Sequence, residues 1–277
     1  MVRLMDKAEL KCYTEANRAS WNEVMPYHQQ VAKEKWDSLF AQPGQTCLPE
    51  VEIGLLLQNG LKGKSVVHLC CNNGVELLSL KNLGAGQCTG FDISDAAIEE
   101  ATERALRSGI DCHFVRTDVY EIGAEYHDCF DMAYITVGCL GWMPDLKLFF
   151  AKAAAFLREN GLIFIHEIHP FADLLPYECD GAAENLRIVE SYFRTEPYAE
   201  AGALDYLGKA QYPSTATNYW FMHTLSSILM GMVGNGIAIE YFAEYETAVS
   251  PEHNPIEAAK AGIPLSYILI GRKRIAS

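Results

Sequence analysis

The chain has 277 residues, 49% of them hydrophobic, which suits one large α/β domain and excludes a disordered polypeptide. Its formal net charge is −14 and Lys and Arg form no dense run, which argues against nucleic acid or an anionic membrane as main partner. Met1 to Lys7 reaches charged sequence at once, and no apolar run nears the ~20 residues of a membrane span. Nine cysteines without a CxxC pair read as free thiols, so a cytoplasmic protein without a metal site is expected.

Residues 1–60 read as a helical cap. Trp21, Val24, Tyr27, His28 and Val31 fall at helical spacing, Trp36, Leu39 and Phe40 continue the stripe, and Pro43-Gly44 breaks it. Glu50 to Gln58 resumes a helix that Asn59-Gly60 ends. Strands and helices then alternate. Ser65–Cys70 is a buried strand and Val75–Leu83 a helix. Cys88–Ile93 is the second strand, and Ala96–Ser108 a helix between an N-cap at Ser94 and a stop at Gly109. Cys112–Arg116, Phe130–Val137 and Gly161–Ile168 are further strands, with a helix at Leu146–Leu157.

Such alternation implies a mostly parallel sheet with helices on both faces. Ile237–Val249 and Leu265–Lys273 are β-rich runs with a Pro-containing loop and no helix between them, so one strand near the edge should be reversed. From about Pro170 to Phe221 lies a long insertion rich in aromatics, including Tyr177, Tyr198, Tyr206, Tyr212 and Trp220. It is read as a lid over a substrate, with strands at Leu186–Arg194 and Thr217–Phe221, before a helix at His223–Val233.

Sheets of this kind bind nucleotides beyond the carboxyl ends of their strands. The first such turn is Cys70-Cys71-Asn72-Asn73-Gly74, with one glycine where a dinucleotide turn has three. Asp92 ends the second strand, where a carboxylate can accept both ribose hydroxyls. Asp118-Val119 follows the third, where an acid can meet an adenine amino group beside an aliphatic wall.

These segments, with Gly90-Phe91-Asp92-Ile93-Ser94 and Phe130-Asp131-Met132-Ala133-Tyr134, resemble the class I S-adenosylmethionine (SAM)-dependent methyltransferases. His68-Leu69-Cys70-Cys71, Gly138-Cys139-Leu140-Gly141-Trp142 and Glu167-Ile168-His169-Pro170 are similar to a small-molecule branch whose first motif reads His-Leu-x-Cys.

The resemblance implies a Rossmann-like, mostly parallel seven-stranded sheet with one antiparallel strand near the edge. Residues 61–277 would form the SAM-binding domain, with the lid at about 170–221. Asp92 would hold the ribose, and Ile93 would pack on the adenine with Asp118 and Val119 opposite. His68, Cys70, Asn72 and Gly74 would surround the methionine end, and Thr136 and Val137 would lie under the sulfonium. His68 stands where most of the superfamily has an acid, and Cys70 and Asn72 replace glycines, so another group must take the amino group.

Methyl transfer needs alignment and exclusion of water, and a base only where the acceptor carries a proton. His169, at the end of the fifth strand, is the base candidate, with Glu167 orienting it from the same face. Trp21, Tyr27, His28, Trp220 and His223 are candidate substrate contacts. The expected activity is SAM-dependent methylation of a small molecule. An NAD-dependent oxidoreductase and a non-catalytic SAM-binding protein are the alternatives.

Overall fold

Alternate residues of the central strands face two separate cores, and this sets the architecture. Val67, Leu69, Ala133, Ile135, Ile163 and Ile165 join one apolar cluster. Val66, Met132, Tyr134, Leu162 and Phe164 join another on the opposite face. Strands buried on both faces belong to a parallel sheet covered by helices. The computed structural model describes residues 5–176, 181–201, 204 and 214–274.

The sheet comprises β1 (Val66–Leu69), β2 (Cys88–Asp92), β3 (His113–Arg116), β4 (Phe130–Thr136), β5 (Leu157–Ile168), β8 (Ile237–Tyr245) and β9 (Ser266–Lys273), in the order β3-β2-β1-β4-β5-β9-β8. The first five pair in parallel, and β9 runs antiparallel to both neighbours. The expected reversed strand is therefore β9, one place in from the edge. A helix does lie between β8 and β9, contrary to expectation: α7 (Asn254–Ala258) has five residues. It is too short for a parallel crossover, so the reversal stands.

The helices α2 (Glu50–Gln58) and α3 (Val75–Asn82) cover one face through Leu56, Leu77 and Leu80. On the other, α5 (Leu146–Phe156) and α6 (Leu225–Val233) bury Phe149, Phe150, Ile228 and Met232. The caps of α4 (Asp95–Ser108) fall where expected. The Ser94 hydroxyl accepts from Ala97 N–H, and Gly109 closes the helix at φ 66°.

The first helix, α1 (Lys7–Phe40), is tied to the rest by polar contacts. Asn17 exchanges two hydrogen bonds with the backbone of Tyr219, at 2.9 and 2.7 Å. Arg18 and Asn22 both hold Asp95. In the 170–221 insertion, β6 (Tyr198–Ala201) and β7 (Thr217–Trp220) form a two-stranded sheet. The strand expected at Leu186–Arg194 is absent: Val189 and Glu190 N–H turn to Leu174 O instead, and Phe193 is 78% exposed. Tyr177, Tyr206 and Tyr212 lie outside the described residues. Among the described residues no helix is long and apolar enough to cross a membrane.

One glycine of the first turn is sterically required. Gly74 has φ 77°, and a Cβ there would sit 2.6 Å from Phe114 Cζ and 3.0 Å from Ala101 Cβ. Left-handed backbone costs a side chain ~1–2 kcal/mol and overpacking ~1–3 kcal/mol. Gly74→Ala is expected to lower unfolding free energy by about 2–5 kcal/mol in chemical denaturation. A loss below 1 kcal/mol would contradict this packing.

Candidate functional site

A cavity of about 850 Å³ opens beyond the carboxyl ends of β1, β2, β3 and β4, between the sheet, α1 and the insertion. Pockets for small ligands run from ~300 to 1,000 Å³, so it has room for two partners side by side. Cys70, Asn72, Asp92, Ile93, Asp118, Val119, Thr136 and Val137 line one part of it, as the sequence predicts.

The turn after β1 keeps a glycine-like backbone without the glycines. Cys70 and Asn72 have φ of 58° and 46°. Asn adopts this conformation readily and Cys does not, so strain is held at the cavity wall. The turn is braced from behind: Asn72 N–H donates to Asp92 Oδ2 at 2.8 Å, and Arg104 donates to Asn73 O at 2.8 Å.

Ser94 N–H meets the other oxygen of Asp92 at 2.9 Å. Ile93 N–H also acts on this carboxylate, and the acceptor capacity that remains faces the cavity. Burial raises the pKa of Asp92, and its backbone hydrogen bonds oppose that rise. Asp118, raised likewise by burial, accepts from Tyr120 N–H at 3.0 Å.

Six predicted site residues lie off the cavity wall. His68 is buried, with Nε2 3.0 Å from Thr136 Oγ1 and its ring edge-on to Tyr134. Burial holds its pKa down to about 3, so it is a neutral brace behind Thr136. Gly74 packs on Phe114 instead of facing the cavity. His223 Nε2 is 2.9 Å from Met143 O. Neither His169 nor Glu167 lines the cavity, and Tyr27 and His223 do not either.

The expected Glu167–His169 pair does not form. His169 Nδ1 accepts from Phe171 N–H at 3.0 Å, and its Nε2 lies 3.0 Å from Glu244. Burial lowers the pKa of His169, and Glu244 opposes that shift. Glu167 accepts from Gly138 N–H and Leu140 N–H, both at 2.8 Å, and from Ile168 N–H at 3.0 Å. It is an anchor for the loop after β4. The run His166-Glu167-Ile168-His169 does not converge on a point, because His166 is bound to Glu52 at 2.7 Å.

Burial raises the Glu167 pKa to about 7, and the three N–H donors oppose the rise. An unfolded glutamate titrates near 4.5, so between these values the folded protein holds a proton that the unfolded chain has released. This contribution to stability is full below about pH 4.5 and is lost as pH rises through about 7. Glu167→Gln is expected to flatten that fall in denaturation midpoints measured from pH 5 to 8. An unchanged profile would contradict the assignment.

The other end of the cavity is aromatic and acidic. Trp21, Trp142 and Trp220 form a chain of edge-on contacts, with ring centroids 5.5 and 4.9 Å apart. Trp220 lies against bare backbone at Gly141, where a Cβ would fall 2.1 Å from the indole. His28 lines the cavity as predicted. Sequence reasoning missed Glu76, Trp142, Asp173, Glu190, Tyr198 and His253, all on the wall. His253 is 1% exposed, with Nε2 3.5 Å from Asp173 Oδ1. Of these, Trp142 carried a signal in the motif Gly138 to Trp142, and Tyr198 as one of the aromatics of the insertion.

A cavity over the strand ends, with acids closing β2 and following β3 and a reversed strand between β5 and β8, belongs to a nucleoside-binding α/β protein. Residues 66–161 match the family described as a methyltransferase domain. The ubiquinone biosynthesis O-methyltransferase of Haemophilus ducreyi is 26% identical over 114 residues, 40% of this chain and 48% of that protein. The tRNA U34 carboxymethyltransferase of Campylobacter curvus is 35% identical over 114 residues, 39% of this chain and 36% of that protein. The chain spans about half the length, or less, of these curated relatives.

Among solved structures, the geranyl diphosphate C-methyltransferase of Streptomyces coelicolor A3(2) superposes with a TM-score of 0.60 at 12% identity, covering 94% of this chain and 98% of that one. The S-adenosylmethionine-dependent methyltransferase of Mesorhizobium loti does so with a TM-score of 0.52 at 19% identity, covering 76% and 92%. The chain has the fold of the class I SAM-dependent methyltransferases, and residues 66–161 are similar to a methyltransferase domain.

Proposed function

We propose that the chain transfers a methyl group from SAM to a small-molecule acceptor. The observation that carries this reading is Asp92. It lines the cavity from the end of β2 as a carboxylate with acceptor capacity beyond its backbone donors, which suits a ribose diol. Val119 and Ile93 supply aliphatic surface for an adenine beside Asp118. An NAD-dependent oxidoreductase fits less well, because an all-parallel dinucleotide sheet has no reversed strand like β9 and its turn needs more glycine.

When bound, SAM supplies a methyl carbon already activated by a sulfonium. The chain's part is to align and enclose. The helix α1 covers the cavity as a cap, and Asp173, Glu190, Tyr198 and Trp220 of the insertion border its acceptor side. Thr136 and Val137 form the floor between the two halves, on a loop held by Glu167. Trp21, Trp142 and Trp220 present flat apolar surface to a ring-bearing or amphipathic acceptor. His253, with Asp173 beside it, replaces His169 as the imidazole able to take a proton from the acceptor.

The likeness to ubiquinone biosynthesis O-methyltransferases supports a small acceptor. The acidic balance supports neither a nucleic acid nor a membrane as partner, and the free thiols of the eight described cysteines accord with the cytoplasm. Incubation with SAM carrying a labelled methyl group and a panel of small phenols, amines and thiols tests the transfer. Label in at least one acceptor is the expected result. SAM binding with no transfer to any member would favour a binding protein.

A further inference from the structure

We propose that Glu76 receives the ammonium group at the amino-acid end of SAM, in place of the carboxylate missing at position 68. This inference rests on the SAM reading. In the resembling family the first strand carries an acid near that end, whereas here His68 occupies the position and its Nε2 is taken by Thr136. A neutral imidazole cannot balance an ammonium charge.

Glu76 lies in the first turn of α3, two residues beyond Gly74, and lines the same cavity as Asn72 and Asn73. Asp92 and Asp118 sit at the ends of β2 and β3, where the ribose and adenine are assigned. Glu76 is the carboxylate on the α3 side of the turn, and among the described residues no other side chain hydrogen-bonds or ion-pairs with it. Cations near it are engaged elsewhere. Arg104 binds Asn73 O, Asp37 and Glu100. Lys35 lies over the Trp36 ring, 4.1 Å from its centroid.

The charged groups that act on Glu76 are Glu52 of α2 and, opposing it, Arg104 of α4, while burial keeps Cys47, Cys71 of the turn and Tyr134 of β4 neutral. His28 and Lys35 of α1 share the cavity wall. Burial first, with Glu52 adding, raises the Glu76 pKa to about 7. An ammonium ion beside it favours the ionised carboxylate, so cofactor binding should tighten as pH rises through about 7.

The test compares S-adenosylhomocysteine with 5′-methylthioadenosine, which keeps the adenosine and sulfur but lacks the amino-acid end. Calorimetry is run on the wild-type chain and on E76Q at pH 6, 7 and 8. At pH 8, E76Q is expected to bind S-adenosylhomocysteine about 10- to 100-fold more weakly, the scale of a lost charged hydrogen bond. Its affinity for 5′-methylthioadenosine should stay within about twofold, and the wild-type rise in S-adenosylhomocysteine affinity with pH should disappear.

Unchanged S-adenosylhomocysteine affinity in E76Q would overturn the assignment while leaving the SAM reading intact. Equal loss of both ligands would overturn it in favour of a structural role. A wild-type chain that binds neither ligand would overturn the SAM reading itself, and this inference with it.

Discussion

Asp92→Asn is expected to weaken both S-adenosylhomocysteine and 5′-methylthioadenosine by about 10²- to 10⁴-fold. The two ribose hydroxyls donate to a carboxylate, and hydrogen bonds to charged groups contribute ~1.5–3 kcal/mol each. The amide cannot replace it. Asn72 N–H and Ser94 N–H already point at the two oxygens, so one of them would face an NH₂. An N–H stranded in this way costs ~1–3 kcal/mol, so the unliganded protein should also lose stability. The comparison with E76Q is direct: loss at Asp92 follows the ribose and strikes both ligands, whereas loss at Glu76 follows the amino-acid end. Affinity for both ligands within threefold of wild type in Asp92→Asn would remove the ribose assignment.

His253→Gln is expected to lower kcat by about 10²- to 10⁴-fold for an acceptor that loses a proton during transfer, the range of a positioned general base. Glutamine keeps hydrogen-bonding capacity but cannot carry the proton. The affinity for S-adenosylhomocysteine should be unchanged, because His253 is assigned to the acceptor side. The corresponding change at His169 should leave kcat nearly unaltered, since His169 lies off the cavity and contacts Glu244 and Phe171. Single-turnover rates separate the two outcomes. A large rate loss at His169 with none at His253 would reverse the assignment.

The strands were legible because their side chains meet apolar surface on both faces, which leaves short unbroken hydrophobic runs such as Ser65–Cys70. The reversal of β9 was legible because the connection from Tyr245 to Ser266 carries no helical pattern long enough for a crossover, and the five residues of α7 do not alter that. The place of Asp92 and Asp118 on the cavity wall was legible because a strand end has one orientation relative to the cleft.

The misreadings lie where the strand period stops. Alternation places Glu167 and His169 on one face, but beyond Ile168 the chain turns and the side chains are captured separately. Glu167 goes to Gly138 and Leu140, and His169 to Glu244. His68 reads as a ligand contact by motif position, yet its ring points into the layer below, beside Tyr134. Leu186–Arg194 looked like a strand from its composition, but Val189 and Glu190 N–H meet a single carbonyl, Leu174 O, and form no ladder. Glu76 and His253 carried no local pattern. Glu76 reads as an ordinary first-turn helix acid, and His253 reaches the cavity only because the β8–β9 connection folds back against Asp173.

Calorimetric titration of the wild-type chain with S-adenosylhomocysteine, run beside NADH, tests the central claim most directly. The predicted result is saturable binding of S-adenosylhomocysteine with a dissociation constant of roughly 1–100 μM, about −8 to −5.5 kcal/mol, and no saturable binding of NADH. No heat from S-adenosylhomocysteine at millimolar concentration, or tighter binding of NADH, would contradict it.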